Sequence, residues 1–214
     1  QSPSLASVTP LDGVNSQALF NIPEYYYSGG VAAAVEKITY GGWPNCYRVA
    51  NGLVELVVTA DIGPRIIRFG FPGGANEFAE FSEDMGRTGD KDWHIYGGHR
   101  VWHSPETRAR TYFPDNEPVE VEVLANGIKV TQPLETNCGI RKRLQVTMAA
   151  DQPEVLVEHY LTNEGVWPVE MAVWCLSVMA PGGVGLAPQP KENDDEGLLP
   201  NRTLTLWPYT NMAD

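Results

Sequence analysis

Val119-Glu120-Val121-Glu122-Val123-Leu124-Ala125-Asn126-Gly127-Ile128-Lys129-Val130 decides the fold. Valines at 119, 121 and 123 alternate with glutamates at 120 and 122, the period of a strand with one buried face. Asn126-Gly127 is the strongest short hairpin signal in the chain, because both residue types accept the positive φ of a tight two-residue turn. Downstream the same period continues. Leu144, Val146 and Met148 face one way, and Arg141, Arg143, Gln145 and Thr147 the other. Val155, Val157 and Leu161 form a further apolar face, on which His159 reads as a core histidine. Upstream, Leu53 to Ala60 is rich in β-branched residues, turns at Asp61-Ile62-Gly63-Pro64 and returns as Arg65 to Phe71. Met171 to Met179 is apolar on both faces, as a central sandwich strand would be. The 17 prolines and 21 glycines interrupt the apolar runs, leaving only Val31 to Lys37 with a helical composition. These patterns predict an all-β protein: a large antiparallel β-sandwich over residues 36–214, preceded by an irregular arm over 1–35.

Length and composition agree with one such core. At 214 residues, 43% hydrophobic, the chain has the size of a single all-β domain and the composition of neither a disordered nor a coiled-coil protein. Its net charge of −12 repels polyanions, and it has no Lys/Arg-rich block, so nucleic acid is not an expected partner. The longest apolar stretches reach about half of the roughly 20 residues that span a bilayer, so no membrane span is expected. Gln1-Ser2-Pro3-Ser4 is compatible with a terminus left by signal removal, which makes a secreted or periplasmic location the expectation. Cys46, Cys138 and Cys175 form no C-x-x-C motif, and three cysteines allow at most one intrachain bridge. The acidic run 191–197 lacks the spacing of a calcium loop and reads as a solvated turn. Asn201-Arg202-Thr203 is a lone glycosylation triplet.

Chemistry concentrates in Trp93-His94-Ile95-Tyr96-Gly97-Gly98-His99-Arg100-Val101-Trp102-His103-Ser104-Pro105-Glu106, which holds three of the four histidines. Here imidazole offers a proton shuttle, guanidinium an anion clamp, indole a stacking face and carboxylate an acid. Gly97 and Gly98 would allow a ligand to approach the backbone. His99 and His103 share a face of an extended strand but stand roughly 13 Å apart at about 3.3 Å per residue, too far to chelate one ion. No metal site is expected, and the absence of P-loop, G-x-G-x-x-G and H-E-x-x-H motifs leaves no cofactor expected either. Arg65 alternates onto the face of Ile67, Phe69 and Phe71, where a guanidinium requires a carboxylate or a ligand. Trp174 belongs to the core unless its face lines a cleft, where it would stack on a sugar. The bland alternative for the whole segment is an aromatic cluster closing one end of a sandwich, with histidines bonded to carbonyls.

Residues 36 to 207 resemble the galactose-mutarotase-like (aldose 1-epimerase) superfamily, and within it an uncharacterised bacterial branch. The resemblance rests on the Leu53 to Phe71 hairpin with Gly63-Pro64-Arg65-Ile66, on Gly97-Gly98-His99-Arg100-Val101-Trp102, on Leu161-Thr162-Asn163-Glu164-Gly165 before Pro168, and on Val178-Met179-Ala180-Pro181-Gly182-Gly183. It implies a sandwich whose concave sheet binds carbohydrate, with a His and a Glu exchanging protons at the anomeric centre. The chain departs from that pattern: where the family's histidine is expected stand Trp174, Cys175, Leu176 and Ser177, and strands bearing the glutamate are missing. The sandwich is then incomplete at its C-terminus, or a partner chain completes the sheet. Two readings stay open. In one, His99 or His103 with Glu106 transfers protons while Arg65 and Arg100 hold a sugar over Trp102 and Trp174, as in an epimerase or a lyase acting on uronic-acid glycans. In the other, the protein binds glycan without turnover, or serves in assembly.

Overall fold

The computed structural model describes residues 33–186 and 203–211. The tyrosine run 25–27, the terminus Gln1 to Ser4, the acidic run 191–197 and Asn201 of the glycosylation triplet lie outside them. The chain divides into two compact units, one ending at Pro181 and one spanning Gly182–Asp214. Within the second, the Thr210 amide donates to the Trp207 carbonyl at 2.9 Å, while Leu204 and Tyr209 are exposed.

The first unit is an antiparallel β-sandwich. Six strands form one sheet: β1 (Ala34–Tyr40), β2 (Trp43–Ala50), β3 (Glu55–Thr59), β4 (Arg65–Gly70), β5 (Gly98–Ser104) and β10 (Ala172–Val178), in that spatial order. Four form the other: β6 (Glu120–Leu124), β7 (Gly127–Thr131), β8 (Ile140–Met148) and β9 (Val155–Asn163). Val49, Leu56, Ile66 and Val101 from the first sheet meet Ile128, Leu144, Val146 and Met148 from the second in one buried core. A second core lies on the other face of the larger sheet, where Trp43, Val57, Ile62 and Ile67 pack on Tyr96 from the long excursion between β4 and β5. The larger sheet is therefore covered on both faces, so β5 must bury side chains in both directions.

Local detail departs from the sequence pattern at four places. The hairpin of β6 and β7 pairs Leu124 with Gly127, so its turn is Ala125-Asn126, one residue earlier than Asn-Gly chemistry suggests. Gly127 is there for space, since a Cβ would stand 1.9 Å from the Val146 carbonyl oxygen. The segment 31–37, helical by composition, is strand from Ala34 onward, because β1 completes a ladder on β2. A register shift between β3 and β4 puts Ile67 with the outer core while Phe69 packs against the inner one, so Arg65, Ile67 and Phe69 do not share a face. Met171 to Met179 becomes β10, an edge strand among the described residues, with most of its side chains half-buried.

Period two also carries Lys142 onto the inner face of β8, between Ile140 and Leu144. Its ammonium meets Glu135 at 2.5 Å, and that carboxylate also accepts from Gln132 Nε2 at 2.9 Å and from Cys138 Sγ at 3.3 Å. Removing one partner of a buried pair strands the other charge, whereas removing both need not. Lys142→Met is expected to lower the unfolding free energy by about 3–5 kcal/mol. The double variant Lys142→Met/Glu135→Leu should lose less, and urea denaturation of both variants checks the ordering.

Candidate functional site

Three consecutive residues with positive φ, Tyr96 (52°), Gly97 (102°) and Gly98 (69°), swing the chain from the covering excursion into β5. The backbone approach that the glycines permit is made by the protein itself. A Cβ at Gly97 would stand 1.9 Å from the Ala79 oxygen, and one at Gly98 2.2 Å from the Ile66 oxygen. From this entry the strand alternates: His99, Val101 and His103 point between the sheets, and Arg100 and Trp102 point to the outer face. Alternation divides the residues that sequence reading had placed around one ligand.

On the outer face, the Arg100 guanidinium lies 4.9 Å from the Trp93 ring centroid and 4.5 Å from that of Trp102, and donates to the Ile95 carbonyl at 3.1 Å. Burial and neighbouring Arg65 pull its pKa down to about 10, which leaves it cationic at neutral pH. Trp102 touches Trp93, Tyr112 and Trp174 at centroid distances of 5.6, 5.1 and 5.5 Å, the last pair sitting opposite in the β5–β10 register. Trp93 meets Tyr112 edge to face at 5.3 Å. These two rings open onto a pocket of about 560 Å³, lined also by Lys91, Asp92, Arg108 and Pro114. Glu106 is exposed at the edge of this cluster, its Oε1 accepting from the Tyr112 hydroxyl at 2.5 Å.

Arg65 is fully buried and does not reach that pocket's lining. It donates to the Ile95 and Gly97 carbonyls at 3.0 and 2.7 Å and pairs with Asp115 at 2.9 Å, with its guanidinium over the Tyr96 ring. The carboxylate that its sequence position required is thus Asp115, and the residue anchors the covering layer. Arg68 is engaged elsewhere, by Glu55 and the Gly74 carbonyl.

Between the sheets, His99 Nδ1 lies 2.8 Å from Ser177 Oγ and His99 Nε2 lies 2.7 Å from His159 Nε2. The second contact joins the two sheets, and only one proton fits between the facing nitrogens. Burial first, then His159 and Arg65, push the His99 pKa down to about 3. His103 is 1% exposed, and neither ring nitrogen has a hydrogen-bond partner among the described residues. Burial and Lys142 lower its pKa as well. His99, His103 and Glu106 therefore do not converge: the histidines are inside the sandwich, and only Glu106 stands on the side of Arg100, Trp102 and Trp174.

Among the described residues no group of three or more His, Cys, Asp or Glu side chains is arranged to hold a metal, Cys46 and Cys138 carry free thiols, and no helix is long and apolar enough to cross a membrane. Sequence reading missed Tyr112, Asp115 and Ser177 as partners. The first two lie in an aperiodic segment, and Ser177 acquires its role only through the β5–β10 register. No family model, curated protein or solved structure matches the chain.

The histidine pair makes stability depend on pH. A folded-state pKa below the unfolded value of about 6.5 means that the unfolded chain binds the extra proton, so stability is present above pH 6.5 and is lost as pH falls toward 3. Between pH 6.5 and 5, before most carboxylates titrate, the loss should be on the order of 1–2 kcal/mol. His99→Gln should flatten that slope, and urea midpoints across this range measure it. An equal slope in both proteins would contradict the assignment.

Proposed function

We propose that the protein binds a carbohydrate, and specifically an acidic sugar, in the outer-face pocket bounded by Trp93, Tyr112 and Arg108. The observation that carries this reading is the aromatic cluster Trp93–Trp102–Tyr112–Trp174 with Arg100 held between two indoles beside an open pocket. Sugar rings present C–H faces that pack on aromatic rings and hydroxyls that bond to charged side chains. Asp92 accepts from hydroxyls, while Lys91 and Arg108 pair with a carboxylate. Arg100, fixed by its two indoles and the Ile95 carbonyl, keeps Trp93 in place and adds positive potential below it. An anionic ligand thus has a local attraction within a protein whose net charge is negative.

The all-β sandwich and the sequence resemblance to galactose-mutarotase-like proteins support the same class of ligand. The separation of His99 and His103 from this pocket supports binding without turnover over a His/Glu acid-base mechanism. Glu106, bonded to Tyr112, stands on the pocket side, so a sugar turnover there would draw on it and not on either histidine.

A thermal-shift screen against neutral sugars, uronic acids, sugar phosphates and soluble polysaccharides tests the reading. A ligand at 100 times its Kd adds about 2.7 kcal/mol of stability, which a melting curve resolves. Uronic acids should raise Tm more than their neutral counterparts. Trp93→Ala should weaken binding about tenfold, a loss of about 1.4 kcal/mol, and Arg108→Ala should erase the preference for the acid. No shift with any class of sugar would overturn the proposal.

A further inference from the structure

Ser177, His99 and His159 lie in one hydrogen-bonded line that the carbohydrate pocket does not use. Ser177 is solvent-exposed on β10, an edge strand among the described residues, and sits opposite His99 in the β5–β10 register, which places both side chains on the same face. Its hydroxyl is 2.8 Å from His99 Nδ1, and the other ring nitrogen of His99 is held at 2.7 Å by His159 from the opposing sheet. When His159 Nε2 accepts from His99 Nε2–H, Nδ1 of His99 carries the lone pair that faces the serine. A hydroxyl, a base and a group that fixes the base are then in sequence, the arrangement that activates a serine nucleophile.

His99 and Ser177 form the polar end of a cavity of about 70 Å³ otherwise lined by Leu56, Ile66, Phe69, Phe78, Val155 and Val157. A cavity of about 150 Å³ holds a benzene ring, so this one suits a chain of two or three carbons. From the line of side chains and this cavity we infer that Ser177 is the nucleophile of a second site, which takes short-chain carboxylic esters and seats the acyl group among the apolar side chains. Ser177 Oγ attacks the ester carbonyl carbon as its proton passes to His99 Nδ1. The bond from that carbon to the alcohol oxygen breaks, and the alcohol departs with the proton. Water then adds to the acyl-serine, giving a proton to His99, and the carboxylic acid leaves as Ser177 recovers its hydrogen. His159 is a positioning residue, acting through His99. Because His99 is buried and uncharged, its lone pair is available across the neutral range, while its low basicity makes slow turnover the expectation.

The full chain is treated with a fluorophosphonate probe, the modified peptide is located by mass spectrometry, and hydrolysis of p-nitrophenyl acetate is compared with that of the octanoate. The site predicts label on Ser177, hydrolysis of acetate over octanoate, and loss of both label and hydrolysis in Ser177→Ala, whose exposed position leaves the fold intact by circular dichroism. His99→Gln should slow labelling about 10²-fold. His159→Gln, which keeps a hydrogen-bonding group opposite His99, should shift the pH profile of labelling without abolishing it. Absence of label on Ser177 in the folded protein, or hydrolysis unchanged in Ser177→Ala, overturns the inference. Because the carbohydrate pocket lies on the other face of β5, either proposal can fail without the other.

Discussion

The buried guanidinium of Arg65 is the contact on which the outer half of the first unit depends. A charge with no exposure to water needs partners, and the two terminal nitrogens of this one find them in parts of the chain remote in sequence: the Ile95 and Gly97 carbonyls and the Asp115 carboxylate. Those three groups bracket β5. Ile95 and Gly97 fix where the covering excursion turns into the strand, and Asp115 fixes the segment that leaves it. Tyr96, caught between them at a positive φ, lies under the same guanidinium and donates its hydroxyl to Asn116 at 2.9 Å. Trp93 and Tyr112 stand on the two segments so tied. The aromatic pocket therefore inherits its shape from an ion pair that does not line it.

With both segments fixed, β5 becomes the divide between two chemistries. Its neighbours on either side are β4 and β10, and both of its faces are covered, so side chains on it cannot escape to solvent by alternation. On an ordinary sandwich strand one face would be polar and wet. Here one polar residue of each face is held by partners, Arg100 by two indoles and a carbonyl and His99 by a serine and a second histidine, while buried His103 has no hydrogen-bond partner among the described residues. Each of the held groups costs desolvation, which its hydrogen bonds or ring contacts offset. The result is a strand with a cation on one face and uncharged imidazoles on the other.

What the sequence revealed follows from which signals are local. Strand alternation and turn residues act over a few positions, so β3, β4, β6 to β9 and the all-β class were legible from Val119 to Val130 outward. The same rule put His159 on an inward face, and showed that His99 and His103 share a side. It failed where a register shift between β3 and β4 changed the parity at Phe69, which no composition signal marks. At β10 an apolar run suggested a central strand, whereas among the described residues β10 lies at the sheet's edge: hydrophobicity reports burial preference and not the number of neighbours. The site was half legible for the same reason. Arg100, Trp102 and Trp174 are brought together by the β5–β10 register, and their grouping with the histidines mistook nearness along the chain for a shared face. Tyr112 and Asp115 come from a segment with no period, so only the folded chain shows their contacts.

The distribution of polar groups inside the sandwich has its own logic. Aliphatic side chains fill the interior against β2, β3, β7 and β8, where strands on both sides hold the sheets in register. Towards β5, β9 and β10 the interior instead carries His99, His103, His159 and the Glu135–Lys142 pair. Among the described residues both sheets end there, at β9 and β10, which lie near one another. At such a margin, packing alone specifies the spacing of the sheets weakly, since among the described residues one side of each terminal strand has no ladder to define it. A hydrogen bond between histidines of opposing sheets, and a buried ion pair that tolerates only a narrow range of distances, define it more sharply than methyl groups do. The same margin is where water and small molecules can reach interior side chains, as the exposure of Ser177 beside buried His99 illustrates. Structural specification and chemical accessibility are thus met by one set of residues, because both requirements fall at the margin that β9 and β10 form among the described residues.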